Sequence, residues 1–283
     1  MLRYLLSLFL ILTGIPFAVA ENMQPKLNVV ASQYPLAYFA ERIAGLQADV
    51  RLPIPKGIDP AYWRPGPNDI RTLQKADLLL FNGAGYETWL PRVSLSHARQ
   101  IDTSAAFAHQ LIRIEQAVTH SHGGSGQHTH EGTAFTTWLD LSQAGQQAQA
   151  VADGLSRKQP EMKNRFTEHL KSLQSDLAAL DQTLQTLSKQ KPDLALMASH
   201  PVYQYLARRY GFDLVSVHWE PGEIPAESEW THLSHLLEKH PARWMIWESQ
   251  PHPETARRLT RLGITSLVFD PCANRPATGD FLT

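Results

Sequence analysis

Residues 160–189 read PEMKNRFTEHLKSLQSDLAALDQTLQTLSK. Within them Phe166, Leu170, Leu173, Leu177, Leu180, Leu184 and Leu187 recur at alternating spacings of four and three, with charged and amide side chains between. That is one apolar stripe on an otherwise polar helix. Pro160 stands where a first helical turn tolerates it, and no Gly or Pro interrupts residues 161–189. Thirty residues at 1.5 Å each would run about 45 Å, longer than most globular helices. The stripe lacks, at one of its two seam positions, the β-branched residues that favour two-stranded coiled coils, which speaks against a dimerisation arm. The stretch reads instead as a spine that crosses the molecule.

Outward from the spine, short apolar runs alternate with helical patterns on both sides. Towards the amino terminus, 27–32, 49–52 and 76–81 read as strands, and 34–43, 69–75 and 143–155 as helices. Towards the carboxyl terminus, 193–199, 214–218, 244–247 and 266–269 read as strands, and 202–210, 230–239 and 255–262 as helices. Apolar strands separated by helices indicate parallel sheets covered on both faces. The expected fold is α/β, with two lobes that each hold a mostly parallel sheet flanked by helices, joined by one long spine helix. The expected division is a signal peptide at 1–20, a first lobe at 21–157, the linking helix at 158–190 and a second lobe at 191–283. Ligands in such sheets sit beyond the carboxyl ends of the strands, so the loops at 57–67 and 82–86 are candidate cleft walls.

Bulk properties narrow the function. The 283 residues hold 26 Lys and Arg against 27 Asp and Glu, a formal charge of −1, without the basic excess a nucleic-acid partner would call for. Thirteen histidines are many for this length. Residues 1–20, MLRYLLSLFLILTGIPFAVA, have the charged start (Arg3), apolar middle (Leu5–Leu12) and small-residue end (Ala18-Val19-Ala20) of a cleavable export signal. The mature chain is therefore expected to be soluble and exported, and it is expected to be a monomer. The single cysteine, Cys272, can form no internal disulfide and is expected to be buried and inert.

Two groups of residues point to metal. Residues 119–131 read THSHGGSGQHTHE and offer His120, His122, His128 and His130 with no apolar residue, so the segment cannot pack a core and reads as a mobile loop. Two His-x-His pairs suit capture of a borderline ion such as zinc. In the second half, His200, Glu248 and Asp270 each follow directly on the carboxyl end of an expected strand, where side chains converge on a cleft. One imidazole and two carboxylates suit a divalent transition ion. His218 lies near another strand end, as a further ligand or a packed structural residue beside Trp219.

The order of these features resembles the periplasmic substrate-binding proteins of zinc and manganese ABC transporters, the zinc-uptake cluster A-I family. The resemblance covers nearly the whole mature chain. It rests on Tyr34-Pro35, Gly57-x-Asp59-Pro60 with Pro65, Leu73-x-x-Ala76-Asp77 and Asn82-Gly83-x-Gly85-x-Glu87-x-Trp89. It continues through the His-rich loop, Trp138-Leu139-Asp140, the spine, Ser199-His200-Pro201, Tyr210-Gly211, Glu248 and Asp270-Pro271. The resemblance implies one ion in the cleft between two lobes, zinc first, with manganese or another divalent transition metal as alternative. It also implies delivery to a membrane permease with its ATPase. Two positions depart from the family pattern: its first-lobe ligand histidines are Ala61 and Thr136 here. Loop histidines, His218 with Asp59 or Tyr62, or a ligand that is a chelated metal could each complete the shell.

Two other functions compete with a receptor. A metal chaperone or buffer would work mainly through the His-rich loop. A secreted metalloenzyme would need a general base, for which Glu248 or Glu220 could serve, but no His-Glu-x-x-His pattern or nucleophile–base pair is present.

Overall fold

The computed structural model describes residues 25–114, 119–122, 126–129 and 132–283. The export signal at 1–20 lies outside these residues, as does His130 of the His-rich segment.

The first half runs β1 (Leu27–Ala31), α1 (Tyr34–Ala44), β2 (Ala48–Arg51), α2 (Pro67–Lys75), β3 (Leu78–Phe81) and β4 (Gln100–Asp102). Its sheet has the order β2-β1-β3-β4 with all neighbours parallel. Then come β5 (Arg113–Ile114), β6 (Thr119–His122), β7 (Gly126–Thr129), β8 (Gly132–Thr133) and the helices α3 (Leu141–Lys158) and α4 (Lys163–Lys189). The second half runs β9 (Ala195–Ala198), α5 (Gln204–Tyr210), β10 (Asp213–Ser216), α6 (Glu227–Lys239), β11 (Trp244–Trp247), α7 (Pro253–Arg261) and β12 (Thr265–Val268). Its sheet repeats the first in order and direction, as β10-β9-β11-β12.

Local chemistry accounts for these elements. β3 is Leu-Leu-Leu-Phe with all four side chains buried, as a central strand covered on both faces requires. The Asp140 carboxylate accepts from the backbone N–H groups of Ser142 and Gln143, which starts α3. α5 stops at Gly211, whose φ of +69° lies in the left-handed region that favours glycine. β4 is absent from the sequence-based expectation: Gln-Ile-Asp carries no apolar run, and it joins the sheet by pairing with β3.

The His-rich segment departs from the unstructured loop its composition suggests. β6 and β7 pair antiparallel, with His120 opposite His128 and His122 opposite Gly126. A backbone ladder can form without an apolar core, because each strand satisfies the other's amide groups.

α4 follows a 3₁₀ turn at Pro160–Met162 and would extend about 40 Å at 1.5 Å per residue. Only the first part of its stripe is buried. Phe166, Leu170, Leu173 and Leu177 lie in the core, Leu180 and Leu184 are half-buried, and Leu187 is exposed. One core cluster takes in this part of α4, the inner face of the first sheet with α1 and α3, and Tyr203, Tyr205, Leu206 and Tyr210 of the second half. Each sheet has a separate cluster on its other face.

Beyond β12 the chain turns back to the first half. Tyr34 N–H donates to the Ala273 carbonyl, and the Phe281 ring packs edge-on against Phe39 with centroids 5.4 Å apart. Arg275 pairs with Glu41 at 2.6 Å and lies over the Tyr34 ring. The Asn274 amide donates to the carbonyls of Pro55 and Ile58, so this returning segment fixes the long loop after β2. Among the described residues no helix is long and apolar enough to cross a membrane.

Candidate metal centre

Identical strand order in the two halves puts the switch point of each sheet between its two central strands, β1 and β3 in one and β9 and β11 in the other. Ligand sites in parallel sheets form beyond the carboxyl ends at such points. Ile246 pairs with Ala198, so His200 and Glu248, two residues further along each strand, leave the sheet side by side. His200 is 4 % exposed. Its Nδ1 lies 3.4 Å from Glu248 Oε1, and its Nε2 lies 3.7 Å from Glu220 Oε1.

These residues line a cleft of about 260 Å³. Its second-half wall is His200, Glu220, Glu248 and Asp270; its first-half wall includes Asp59, Tyr62 and Tyr86. Both loops expected to form walls do so. Asp59 Oδ1 also accepts the backbone N–H of Ala61, which turns the chain and keeps the carboxylate at the cleft. Ala61 and Thr136 are both buried. The Thr136 hydroxyl donates to the Val202 carbonyl and so ties the two halves together.

Of the eight expected ligand residues, the structure brings His200, Glu248 and Asp270 to one cleft. His218 does not line it. Its ring stands edge-on to that of His200 with centroids 6.1 Å apart, on a smaller pocket shared with Trp219 and His232. His120, His122 and His128 are placed by backbone on β6 and β7. Glu220 joins the cleft although the sequence suggested only a general base for it. It stands four residues past β10, beyond His218, so its place relative to its strand is not the one that marked the others.

The cleft is rich in carboxylates, and burial together with their mutual repulsion shifts its ionisable groups. Burial, and then the charges of Asp59, Glu220 and Asp270, push Glu248 up to about 8. Burial, and then the charges of Asp59, Glu220 and Glu248, raise the Tyr62 hydroxyl well above its ordinary value, so it stays protonated. Behind the first-half wall, burial pushes Glu87 up to about 7, although it accepts from Ser32 Oγ and from the backbone of Asn82 and Gly83. Cys272 is half-buried and its thiol is pushed up to about 11, first by burial and then by Asp270 and Asp280, so it is protonated at neutral pH.

Glu87 and Glu248 therefore favour the neutral acid in the fold. A folded pKa above the ordinary 4.5 gives a contribution that is fully present below about pH 4.5 and is lost as pH rises towards 7 for Glu87 and 8 for Glu248. The metal-free protein is expected to melt at progressively lower temperature between about pH 5 and pH 8. Calorimetric melting in the presence of a chelator reads this directly. Glu248→Gln should flatten the upper part of the slope, and a variant as steep as the parent refutes the assignment to Glu248.

The donor set suits a cation more than an anion. A ligating imidazole commonly has its second nitrogen held by a carboxylate, and His200 has one carboxylate facing each ring nitrogen. Either can share an ion while the other fixes the ring. Among the described residues, however, no three His, Cys, Asp or Glu side chains are gathered closely enough to hold an ion. Among the described residues these groups ring the cleft without closing on one centre.

Comparison with known proteins finds similar sequences and similar folds. The family model for zinc-uptake complex component A, periplasmic, matches residues 29–283. The chain is 26 % identical over 232 residues to the high-affinity zinc uptake system protein ZnuA of Bacillus subtilis, covering 81 % of this chain and 73 % of that one. It is 26 % identical over 252 residues to the zinc-binding lipoprotein AdcA of Streptococcus pneumoniae, covering 87 % of this chain but only 50 % of that protein. The chain thus spans about half the length of AdcA. Among solved structures, the metal-dependent lipoprotein YcdH of Bacillus subtilis superposes with a TM-score of 0.75 at 22 % identity, covering 89 % of this chain and 90 % of that one. Zn(II)-bound AdcA superposes with a TM-score of 0.76 at 21 % identity, over 91 % of this chain and 55 % of that one. These likenesses carry the two-sheet fold.

Proposed function

The chain belongs to the zinc-uptake complex component A family, and from that premise we propose that it captures a divalent metal ion, zinc first, in the cleft between its two halves. It then hands the ion to a membrane permease driven by an ATPase. In this reading residues 1–20 export the chain to the periplasm, and the protein binds and delivers without catalysing a reaction. The observation that carries it is His200, buried at the cleft with a carboxylate facing each ring nitrogen. Glu248 and Asp270 supply oxygen donors from the same half, with Glu220 beside them and Asp59 opposite. Manganese is the alternative cargo, since carboxylate donors suit it better than they suit zinc.

A second reading, a metal buffer acting through the histidines of residues 119–131, draws on the backbone pairing that sets His120 opposite His128. Metal content by mass spectrometry and calorimetric zinc titration distinguish the two, applied to the chain from residue 21 and to a version lacking 120–130. The receptor predicts one tightly held ion in both. Loss of all tight binding on deletion overturns the cleft as the principal site and favours the buffer.

A further inference from the structure

Next to the metal cleft lies a second and larger cavity of about 420 Å³. The two share Tyr62, Tyr86 and Phe135, so one opens beside the other along a common wall. Trp89 adds another aromatic side chain, and Arg64 and Arg92 are exposed on the lining. Among the described residues neither guanidinium has an ion-pair partner. The Tyr86 residue is 2 % exposed, and its hydroxyl has no hydrogen-bond partner among the described residues. A buried hydroxyl left in that state on the wall between two cavities points to a polar ligand that satisfies it.

A bare ion makes no use of this second space. Aromatic walls with a few charged groups, in a volume of several hundred Å³, are the features of a small-molecule site. The charges are also separated. Asp59, Glu220, Glu248 and Asp270 gather at the cleft, whereas the two unpaired arginines lie at the neighbouring cavity. A free anion would meet the carboxylates, and a free cation would leave the arginines idle. A ligand that is positive at one end and negative at the other fits both.

Resting on the metal reading of the cleft, we propose that the cargo is a divalent metal already held by a small carboxylate-bearing chelator. The metal faces His200 and Glu248, and the chelator lies in the Arg64–Arg92 cavity. The protein then need not supply a complete shell, which agrees with a cleft whose donors, among the described residues, ring it without closing on a centre. Carboxylates bound to a metal still present outward oxygens, and guanidinium groups recognise these in pairs. The aromatic side chains cover the chelator's carbon skeleton, and the Tyr86 hydroxyl is available to one of its oxygens.

The test is titration calorimetry with three probes: zinc alone, zinc with one equivalent of nitrilotriacetate, and zinc with one equivalent of pyridine-2,6-dicarboxylate. Native mass spectrometry reports whether the chelator stays on the protein. At least one complex is expected to be retained whole and bound at least about tenfold more tightly than the chelator's competition for free zinc allows. The Arg64→Ala/Arg92→Ala double variant should lower the ratio of complex affinity to zinc affinity about tenfold or more, since each paired guanidinium–carboxylate contact is a charge-assisted bond. If the protein strips zinc from both chelators and keeps only the ion, this proposal is overturned and the metal cleft stands. If it binds neither zinc nor a complex, both fail. An unchanged ratio in the double variant also overturns it.

Discussion

His200→Ala is expected to weaken zinc capture by at least about a hundredfold, with the fold retained. His200 is the one imidazole lining the cleft among the described residues, and each of its ring nitrogens faces a carboxylate. Without it the cleft offers Asp59, Glu220, Glu248 and Asp270, an all-oxygen set whose burial and mutual repulsion already keep Glu248 protonated to about pH 8. Zinc favours nitrogen and sulfur donors, and loss of even an outer partner of a ligand commonly costs about ten- to a hundredfold in affinity. Competition against a chromogenic chelator measures the change. His218→Ala is the control, because that ring lines a different pocket, and it should shift affinity by no more than about threefold. Equal losses in the two variants, or none in His200→Ala, would mean that the cleft is not the site.

Trp138→Ala is expected to cost about 3–5 kcal/mol in urea unfolding, the range for truncating a large buried aromatic. Trp138 is fully buried and its indole N–H donates to the Pro271 carbonyl at 2.6 Å. It also stacks edge-on with Tyr86, centroids 5.7 Å apart, and lines the metal cleft. The loss therefore reaches Asp270, the residue before its hydrogen-bond partner. Zinc affinity should fall as well, and Trp138→Phe should restore most of the stability while leaving the Pro271 carbonyl without its donor. A cost below about 1 kcal/mol would show that the returning chain is not held from this point.

The legible parts of the fold were those where one periodicity met one environment. β3 and β11 are runs of large apolar side chains because both sheet faces are covered, and α4 repeats at three and four because one face meets the core. β4 was not legible, since Gln-Ile-Asp enters the sheet by backbone pairing at an edge. The stripe of α4 also promised more burial than exists. Period fixes which side chains share a face, and says nothing of how far the partner surface reaches; here it reaches Leu177 and falls away before Leu187.

The same limit governed the site. His200, Glu248 and Asp270 were legible because strand ends converge. His218 follows the same rule and still turns to another pocket, because the direction of a side chain past a strand depends on the loop that receives it. Tyr62, Tyr86 and Arg64 carry no periodic signal at all. They reach the cavities through the turns at 59–63 and 82–86, whose shape comes from Asp59 and Glu87 accepting backbone N–H groups.

The return of residues 271–283 to the first half has a mechanical consequence. Chain crosses between the halves twice, outward along α4 and back through the segment that Trp138, Tyr34 and Asn274 hold. A body attached at one point can twist about any axis, whereas one attached at two keeps a single axis through both. Two such straps leave fewer ways for one wall of the cleft to turn against the other. The second strap also lies one residue from Asp270. The contact that anchors the strap, Trp138 to the Pro271 carbonyl, is thus one peptide bond from a carboxylate of the site.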